Sequence, residues 1–300
     1  MTKLGFVAKV FLAVLAITIQ LAAQEQAPKI PVDTQLTLDA APQIQKPAIQ
    51  SVLYLQCKKT NMKGTAFVIS GGMVVTAAHV ICGCDAADLD AKTTLNQPVK
   101  FSKLIRDEDV DLAVLRPSSP LEHGLELASD KNAVTAERVN TWGFPLIYDG
   151  PAPMISVGYV SGYYEAPEKN FCDLNQARNK KFKHIVVNGA FNPGNSGGPL
   201  FVFGQNKVIG IVIWKNIAFS SQVQTAIDGF RHARLMTGGT FSETLADGTT
   251  RGLSDQEVIA RVLEEFYKKV QVNIGEAVSV SELKRLLKER GKELEVNSAP

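Results

Sequence analysis

From Gln50 to about Leu235 the apolar positions fall in short runs broken by turn residues, with no sustained helical period. Ser51–Gln56, Thr65–Ile69, Met73–Thr76, Val99–Ile105 and Leu112–Leu115 come first. Val139–Trp142, Ile155–Val160, Ile185–Val187, Leu200–Val202 and Val208–Ile213 come next. These runs are rich in branched and aromatic residues, which suit the pleated, half-buried surface of a strand. Gly71-Gly72 and Gln205-Asn206 separate consecutive runs as hairpin turns. No helix-length apolar pattern alternates with the strands, which argues against a parallel βαβ sheet and for antiparallel sandwiches or barrels. The polar stretch Ser129-Asp130-Lys131-Asn132 divides the strands into two similar halves.

Both ends of the chain read differently. Lys3 and Lys9 precede and flank an apolar run from Val10 to Ile19, and Leu21-Ala22-Ala23 offers small residues for cleavage. A basic start, a short apolar stretch and a small-residue exit describe a secretory signal peptide over residues 1–23. The apolar run is shorter than the roughly 20 residues a membrane span needs, so an uncleaved anchor is the lesser alternative. Residues 24–49, with Pro28, Pro31, Pro42 and Pro47, read as an extended linker or leader. Past Gly238 the texture turns helical. Ser254 and Glu257 form a capping box ahead of Val258, Ile259, Val262, Leu263, Phe266, Tyr267 and Val270. Ser281 caps a second helix carrying Leu283, Leu286 and Leu287 and ending near Gly291. Residues 239–300 are thus expected to be a loop and a helical extension docked on the body of the protein.

Composition narrows the class. Lysine and arginine number 32 against 30 aspartates and glutamates, and the excess of two disappears with Lys3 and Lys9. No clustered basic surface of the kind nucleic acid requires is present. The four cysteines, Cys57, Cys82, Cys84 and Cys172, form an even set in a chain expected to leave the reducing cytosol, which favours disulfides. Cys82 and Cys84 are too close to bridge each other without a strained ring, so each is expected to reach a distant partner, Cys57 for one and Cys172 for the other. The competing reading is a metal site, since His79, Cys82 and Cys84 spell H-x-x-C-x-C, but His79 has another role available.

That role depends on three segments taken together. Val74-Val75-Thr76-Ala77-Ala78-His79 places a histidine after a strand, Asp109-Val110-Asp111-Leu112 leads an acid into one, and Asn192-Pro193-Gly194-Asn195-Ser196-Gly197-Gly198 flanks a serine with glycines. Each alone has an ordinary reading: a structural histidine, a solvated turn, a loop. In the order His79, Asp111, Ser196 they fit nucleophilic acyl transfer. A serine hydroxyl is a weak nucleophile until an imidazole takes its proton, and the imidazole needs a carboxylate to fix its tautomer. The N–H groups of Gly194 and Ser196 would meet the developing oxyanion. Asp107 and Asp109 lie near Asp111, which is preferred for its place just before the Leu112–Leu115 strand. This chemistry calls for no cofactor and no metal.

At these residues the chain resembles the trypsin-like serine proteases, and within them the HtrA (Deg) branch. Thr76-Ala77-Ala78-His79, Asp111-Leu112-Ala113-Val114-Leu115 and Asn188 through Leu200 resemble the three catalytic motifs of the family. Gly64-Thr65-Ala66-Phe67 and Trp142-Gly143-Phe144-Pro145 resemble further family positions. The resemblance covers about residues 50–235. It implies an all-β fold of two six-stranded antiparallel barrels with the active site between them, barrel one over about 50–130 and barrel two over about 136–238. It also implies polypeptide substrates and a primary pocket walled by Ala190 and by Gly210-Ile211-Val212, which lack the buried acid of trypsin-like specificity and so suit small or medium aliphatic side chains. Two departures matter. Asn195 stands where digestive members carry the aspartate that pairs with a new N-terminus, and no Ile-Val-Gly-Gly start occurs. The residues after Gly238 do not read as the PDZ domain typical of the HtrA branch. A catalytically silent, peptide-binding member of the fold is the alternative, disfavoured by the presence of His79, Asp111, Ser196 and Gly194 together.

Overall fold

The computed structural model describes residues 33–129, 134–146, 152–167, 172, 180–189, 191–215, 242–244, 250–252, 257–260 and 274–295. Strands β1 (Val52–Cys57), β2 (Lys63–Val68), β3 (Val74–Ala77), β4 (Leu89–Thr93), β5 (Pro98–Val99), β6 (Phe101–Asp107) and β7 (Leu112–Pro117) form an antiparallel sheet in the order β5-β4-β1-β2-β3-β7-β6. Its middle strands are covered on both faces: all four residues of β3 and the first four of β7 are buried. A sheet covered on both sides reads as a continuous apolar run rather than an alternating one.

The second half contains β8 (Glu126–Leu127), β9 (Arg138–Gly143), β10 (Met154–Ala166), β11 (Phe182–Gly189), β12 (Pro199–Val202), β13 (Lys207–Lys215) and β16 (Ile274–Ser279), with β14 (Ser242–Thr244) and β15 (Thr250–Gly252) as a separate ribbon. The ring β12-β9-β10-β11-β16-β13 closes on itself through the β12–β13 pairing, and β8 adds parallel to β13. The expected all-β, two-barrel architecture is therefore realised as one closed six-stranded barrel and one half-barrel.

The C-terminal residues depart from expectation. The sequence pattern ends barrel two near residue 238 and assigns residues 239–300 to a loop and a helical extension. Instead β16 lies between β11 and β13 and pairs antiparallel with both, supplying one of the six staves. Gly275 in this strand backs onto the ring of Phe191, leaving no room for a Cβ. The carboxylate of Glu276 accepts the hydroxyl of Tyr164 at 2.6 Å, with His184 Nδ1 3.6 Å away. A helix does come after this strand, over Val280–Arg290, and its N-cap is Ser279, two residues earlier than the expected Ser281. Leu283 and Leu286 bury its apolar face. Of the expected helix after Ser254, only residues 257–260 are described, and they are helical.

The other departure lies before β1. The expected extended linker is, from Asp33 onward, two short helices: α1 (Thr34–Ala40), capped by the Asp33 carboxylate on Leu36 N–H, and α2 (Lys46–Ser51), with Pro47 in its first turn. Ala48 and Ile49 are fully buried, and Gln45 accepts a hydrogen bond from the Trp142 indole at 3.0 Å. Elements of six and seven residues are too short to show a helical period, whereas prolines at the start of helices are well tolerated. The helix Val280–Arg290 is α3 hereafter. The expected signal segment, residues 1–23, lies outside the described residues.

Candidate active site

Strand β3 delivers His79. Past Ala77 the chain enters a single 3₁₀ turn, Ala78–Ile81, which leaves the imidazole only 11% exposed. Asp111 comes after another 3₁₀ turn, Glu108–Val110, in the left-handed conformation with φ 54° and ψ 41°, which aspartate tolerates better than most residues. That twist returns its carboxylate to the histidine. Oδ2 stands 2.7 Å from His79 Nδ1, Oδ1 accepts the His79 backbone N–H at 2.8 Å, and the Asp111 carbonyl accepts Ala78 N–H at 3.1 Å. With a carboxylate accepting at Nδ1, the proton of the neutral ring resides there and Nε2 presents the lone pair. Asp111 is 1% exposed, whereas Asp109 is exposed, so the geometry pairs His79 with Asp111.

Ser196 sits in the loop before β12. Gly194 and Gly197, on either side of it, have φ of 99° and 85°, a region closed to most other residues. A Cβ at Gly194 would overlap the Phe144 carbonyl, and one at Gly197 would overlap the Thr65 carbonyl and the Thr76 hydroxyl. The serine loop is thus pressed against the strand that delivers His79. A Cβ on Gly64 would stand 2.8 Å from the Ser196 carbonyl and 2.7 Å from Val80, so the serine and histidine segments meet at this glycine. The Ser196 hydroxyl donates to the Ile213 carbonyl at 3.4 Å.

Backbone amides around Ser196 divide into two sets. Those of Asn195, Gly197 and Gly198 donate to Asn192, Val212 and Asn195 carbonyls at 3.0, 2.7 and 2.9 Å. Those of Gly194 and Ser196 donate to no described residue. Leu146 N–H donates to the Pro193 carbonyl at 2.7 Å, which fixes the peptide carrying the Gly194 N–H. Asn195 itself is buried, its amide nitrogen 3.4 Å from Ser156 Oγ.

The remaining sequence candidates fare unequally. Ala190 lies outside the described residues. Gly210, Ile211 and Val212 are on β13 but do not share a face: Val212 packs in the barrel-two core, whereas Ile211 belongs to the core that runs into the first half. The cysteines form Cys57–Cys84 and Cys82–Cys172, so neither cysteine of the H-x-x-C-x-C pattern offers a thiolate to a metal. The second bridge starts three residues after His79 and reaches the segment between β10 and β11.

Thr65 carries no catalytic signature in the sequence. It is fully buried in β2, and its hydroxyl donates to the Gly194 carbonyl at 2.7 Å while accepting Phe144 N–H at 3.0 Å. Its backbone N–H donates to the Ser196 carbonyl at 2.8 Å, and its carbonyl accepts the Thr76 hydroxyl at 2.8 Å. The only sequence signal was its place within Gly64-Thr65-Ala66-Phe67.

Comparisons with known proteins point to one family and fold. The family profile for a trypsin-like peptidase domain matches residues 64–211. The "Probable periplasmic serine endoprotease DegP-like" of Hahella chejuensis is 29% identical over 170 residues, which cover 56% of this chain and 31% of that protein. "Serine protease Do-like HtrA" of Lactococcus lactis is 32% identical over 57% of this chain and 40% of its own length. The chain thus spans well under half of these curated relatives. Among solved structures, the active form of the Rv3671c protease from M. tuberculosis superposes with a TM-score of 0.56 at 18% identity, covering 89% of this chain and 92% of that one, a likeness of fold.

Proposed function

This chain belongs to the trypsin-like serine proteases, on their HtrA branch, and from that premise we propose that it is an exported endopeptidase acting through His79, Asp111 and Ser196. The observation that carries the proposal is the buried Asp111 carboxylate, with both oxygens engaged by His79 beside a glycine-flanked serine. The Ser196 hydroxyl turns from the Ile213 carbonyl toward His79 Nε2 and attacks the scissile carbonyl as the imidazole takes its proton. Asp111 stabilises the resulting imidazolium without itself becoming protonated. The N–H groups of Gly194 and Ser196 receive the oxyanion, each worth about 3–4 kcal/mol of transition-state stabilisation. The imidazolium then protonates the leaving amine, and water admitted in its place hydrolyses the acyl-enzyme by the reverse roles.

Polypeptides are the substrates, and Ala190, at the position where an acid would give trypsin-like specificity, favours small or medium aliphatic side chains at the cleaved position. Residues 1–23 direct export, in keeping with two disulfides and with the periplasmic location named for the DegP-like relative. The test is a cleavage profile on a denatured protein mixture. The wild type should generate new N-termini preceded by aliphatic residues, and Ser196→Ala should generate none. An unchanged profile from Ser196→Ala would refute the assignment.

A further inference from the structure

We propose that Thr65 is a positioning residue of the oxyanion site, its hydroxyl carrying a hydrogen-bond relay from Phe144 N–H to the Gly194 carbonyl that holds the serine loop in its reactive shape. The inference rests on Ser196 and Gly194 acting as proposed above. It concerns a side chain from the other barrel, 129 residues away in sequence from the group it holds.

A threonine hydroxyl has one proton and accepts through its oxygen. In Thr65 that oxygen already accepts the Phe144 amide, so its proton is directed to Gly194. Phe144 N–H cannot reverse its role, and a carbonyl cannot donate. The relay therefore runs one way and admits no alternative pattern. At the same residue the backbone N–H holds the Ser196 carbonyl. Thr65 thus grips the carbonyls of Gly194 and Ser196, the two residues whose amides donate to no described residue. Leu146 N–H on the Pro193 carbonyl fixes the neighbouring peptide from the side of barrel two.

Packing closes the arrangement. A Cβ added at Gly143 would stand 2.8 Å from both Thr65 Oγ1 and Asn195 Oδ1, so the space around the hydroxyl is filled. Gly194 is in a left-handed conformation that as a glycine it can leave readily, since nothing in its own side chain opposes a turn of its peptide. Restraint must come from outside the loop, and the hydroxyl supplies it. A donor misaimed at the oxyanion loses value steeply, because such sites work by being set before the reaction.

The test uses the full chain and a fluorophosphonate, whose addition to serine builds a tetrahedral centre with an oxygen in the oxyanion site. Thr65→Val replaces the hydroxyl with a methyl of similar shape; Thr65→Ala removes the hydroxyl without adding bulk, and decides the question by the same criteria where the valine variant does not fold. Thr65→Ser keeps the hydroxyl. Rates are compared at equal final labelling, so that only competent molecules count. Thr65→Val or Thr65→Ala should label about 10- to 100-fold more slowly than wild type, at an unchanged midpoint of the pH–rate curve, because His79 and Asp111 are untouched. Thr65→Ser should remain within about three-fold, as its hydroxyl restores the relay. A hydroxyl-less variant labelling within three-fold of wild type, a serine variant as slow as it, or a displaced pH midpoint would each overturn the inference. Labelling that persists in Ser196→Ala would instead refute the underlying site, whatever the Thr65 variants do.

Discussion

Asp111 shows how much one backbone torsion does in this site. Its left-handed conformation turns the carboxylate away from solvent and onto His79, while Asp109, two residues earlier, stays exposed. Asp111→Asn should leave the fold intact and lower turnover on a denatured protein by about 10⁴-fold, because the amide imposes the wrong imidazole tautomer. Asp109→Asn should change turnover less than about two-fold, in line with an exposed surface substitution. Steady-state rates on purified variants check both. At this scale the sequence was informative where contacts are local: that Asp111, rather than Asp107 or Asp109, meets His79 was legible from its place just before the Leu112–Leu115 strand. Thr65 was not legible, because a buried threonine in a strand looks like any other. Its meaning lies in which distant carbonyl its proton reaches.

Strand β16 and helix α3 act as a single clasp between the two halves. The strand fills the gap in barrel two, and the helix lays Leu283 and Leu286 into the core of the half-barrel. Polar contacts fasten the other face. Arg285 bonds Asp107 Oδ2 at 2.9 Å, Arg290 bonds the Arg106 carbonyl at 2.6 Å, and Arg116 bonds the Leu294 carbonyl at 2.8 Å. Burial alone would raise the Asp107 carboxyl, but hydrogen bonds from Arg285 and Lys180 outweigh it and hold it below the usual carboxylate value. A depressed carboxylate stabilises the fold fully above its unfolded-state pKa, and the contribution disappears as pH falls through the lower folded value. Asp107→Asn should therefore cost about 1–2 kcal/mol at pH 7, a deficit that vanishes at a pH below the folded value. Thermal unfolding of both proteins across that range measures it. The clasp was only half legible. The spacing of Leu283, Leu286 and Leu287 announced a helix, but Gly275 and Glu276 interrupt the apolar alternation that would have announced the strand. Those two residues are explained by partners far away in sequence, the Phe191 ring and the Tyr164 hydroxyl.

For the molecule as a whole, the two barrels behave as one packed body. Trp142, Phe144, Phe201 and Ile213 of the second half share a continuous core with Phe67, Val80 and Leu115 of the first, and Gln45 ties the N-terminal helices to Trp142. The disulfides add to this unequally. Cys57–Cys84 closes a separation of 27 residues within the half-barrel, whereas Cys82–Cys172 closes one of 90 and joins the halves beside His79. Loop-closure entropy places the first near 3.5 kcal/mol and the second near 4.5 kcal/mol, both about that size on the chain-entropy account. Urea unfolding of Cys82→Ser/Cys172→Ser should accordingly show a larger loss of stability than Cys57→Ser/Cys84→Ser. That each of Cys82 and Cys84 would reach a distant partner was legible from their spacing; which partner belongs to which was not, since only the fold brings Cys57 to Cys84. On the proposed mechanism one serine, held in place by this shared core, performs the chemistry. Fluorophosphonate labelling with subsequent peptide mapping tests it most directly. The wild type should carry the adduct on Ser196 alone, with labelling lost in Ser196→Ala and strongly slowed in His79→Ala. An adduct on any other residue, or undiminished labelling of Ser196→Ala, would contradict it.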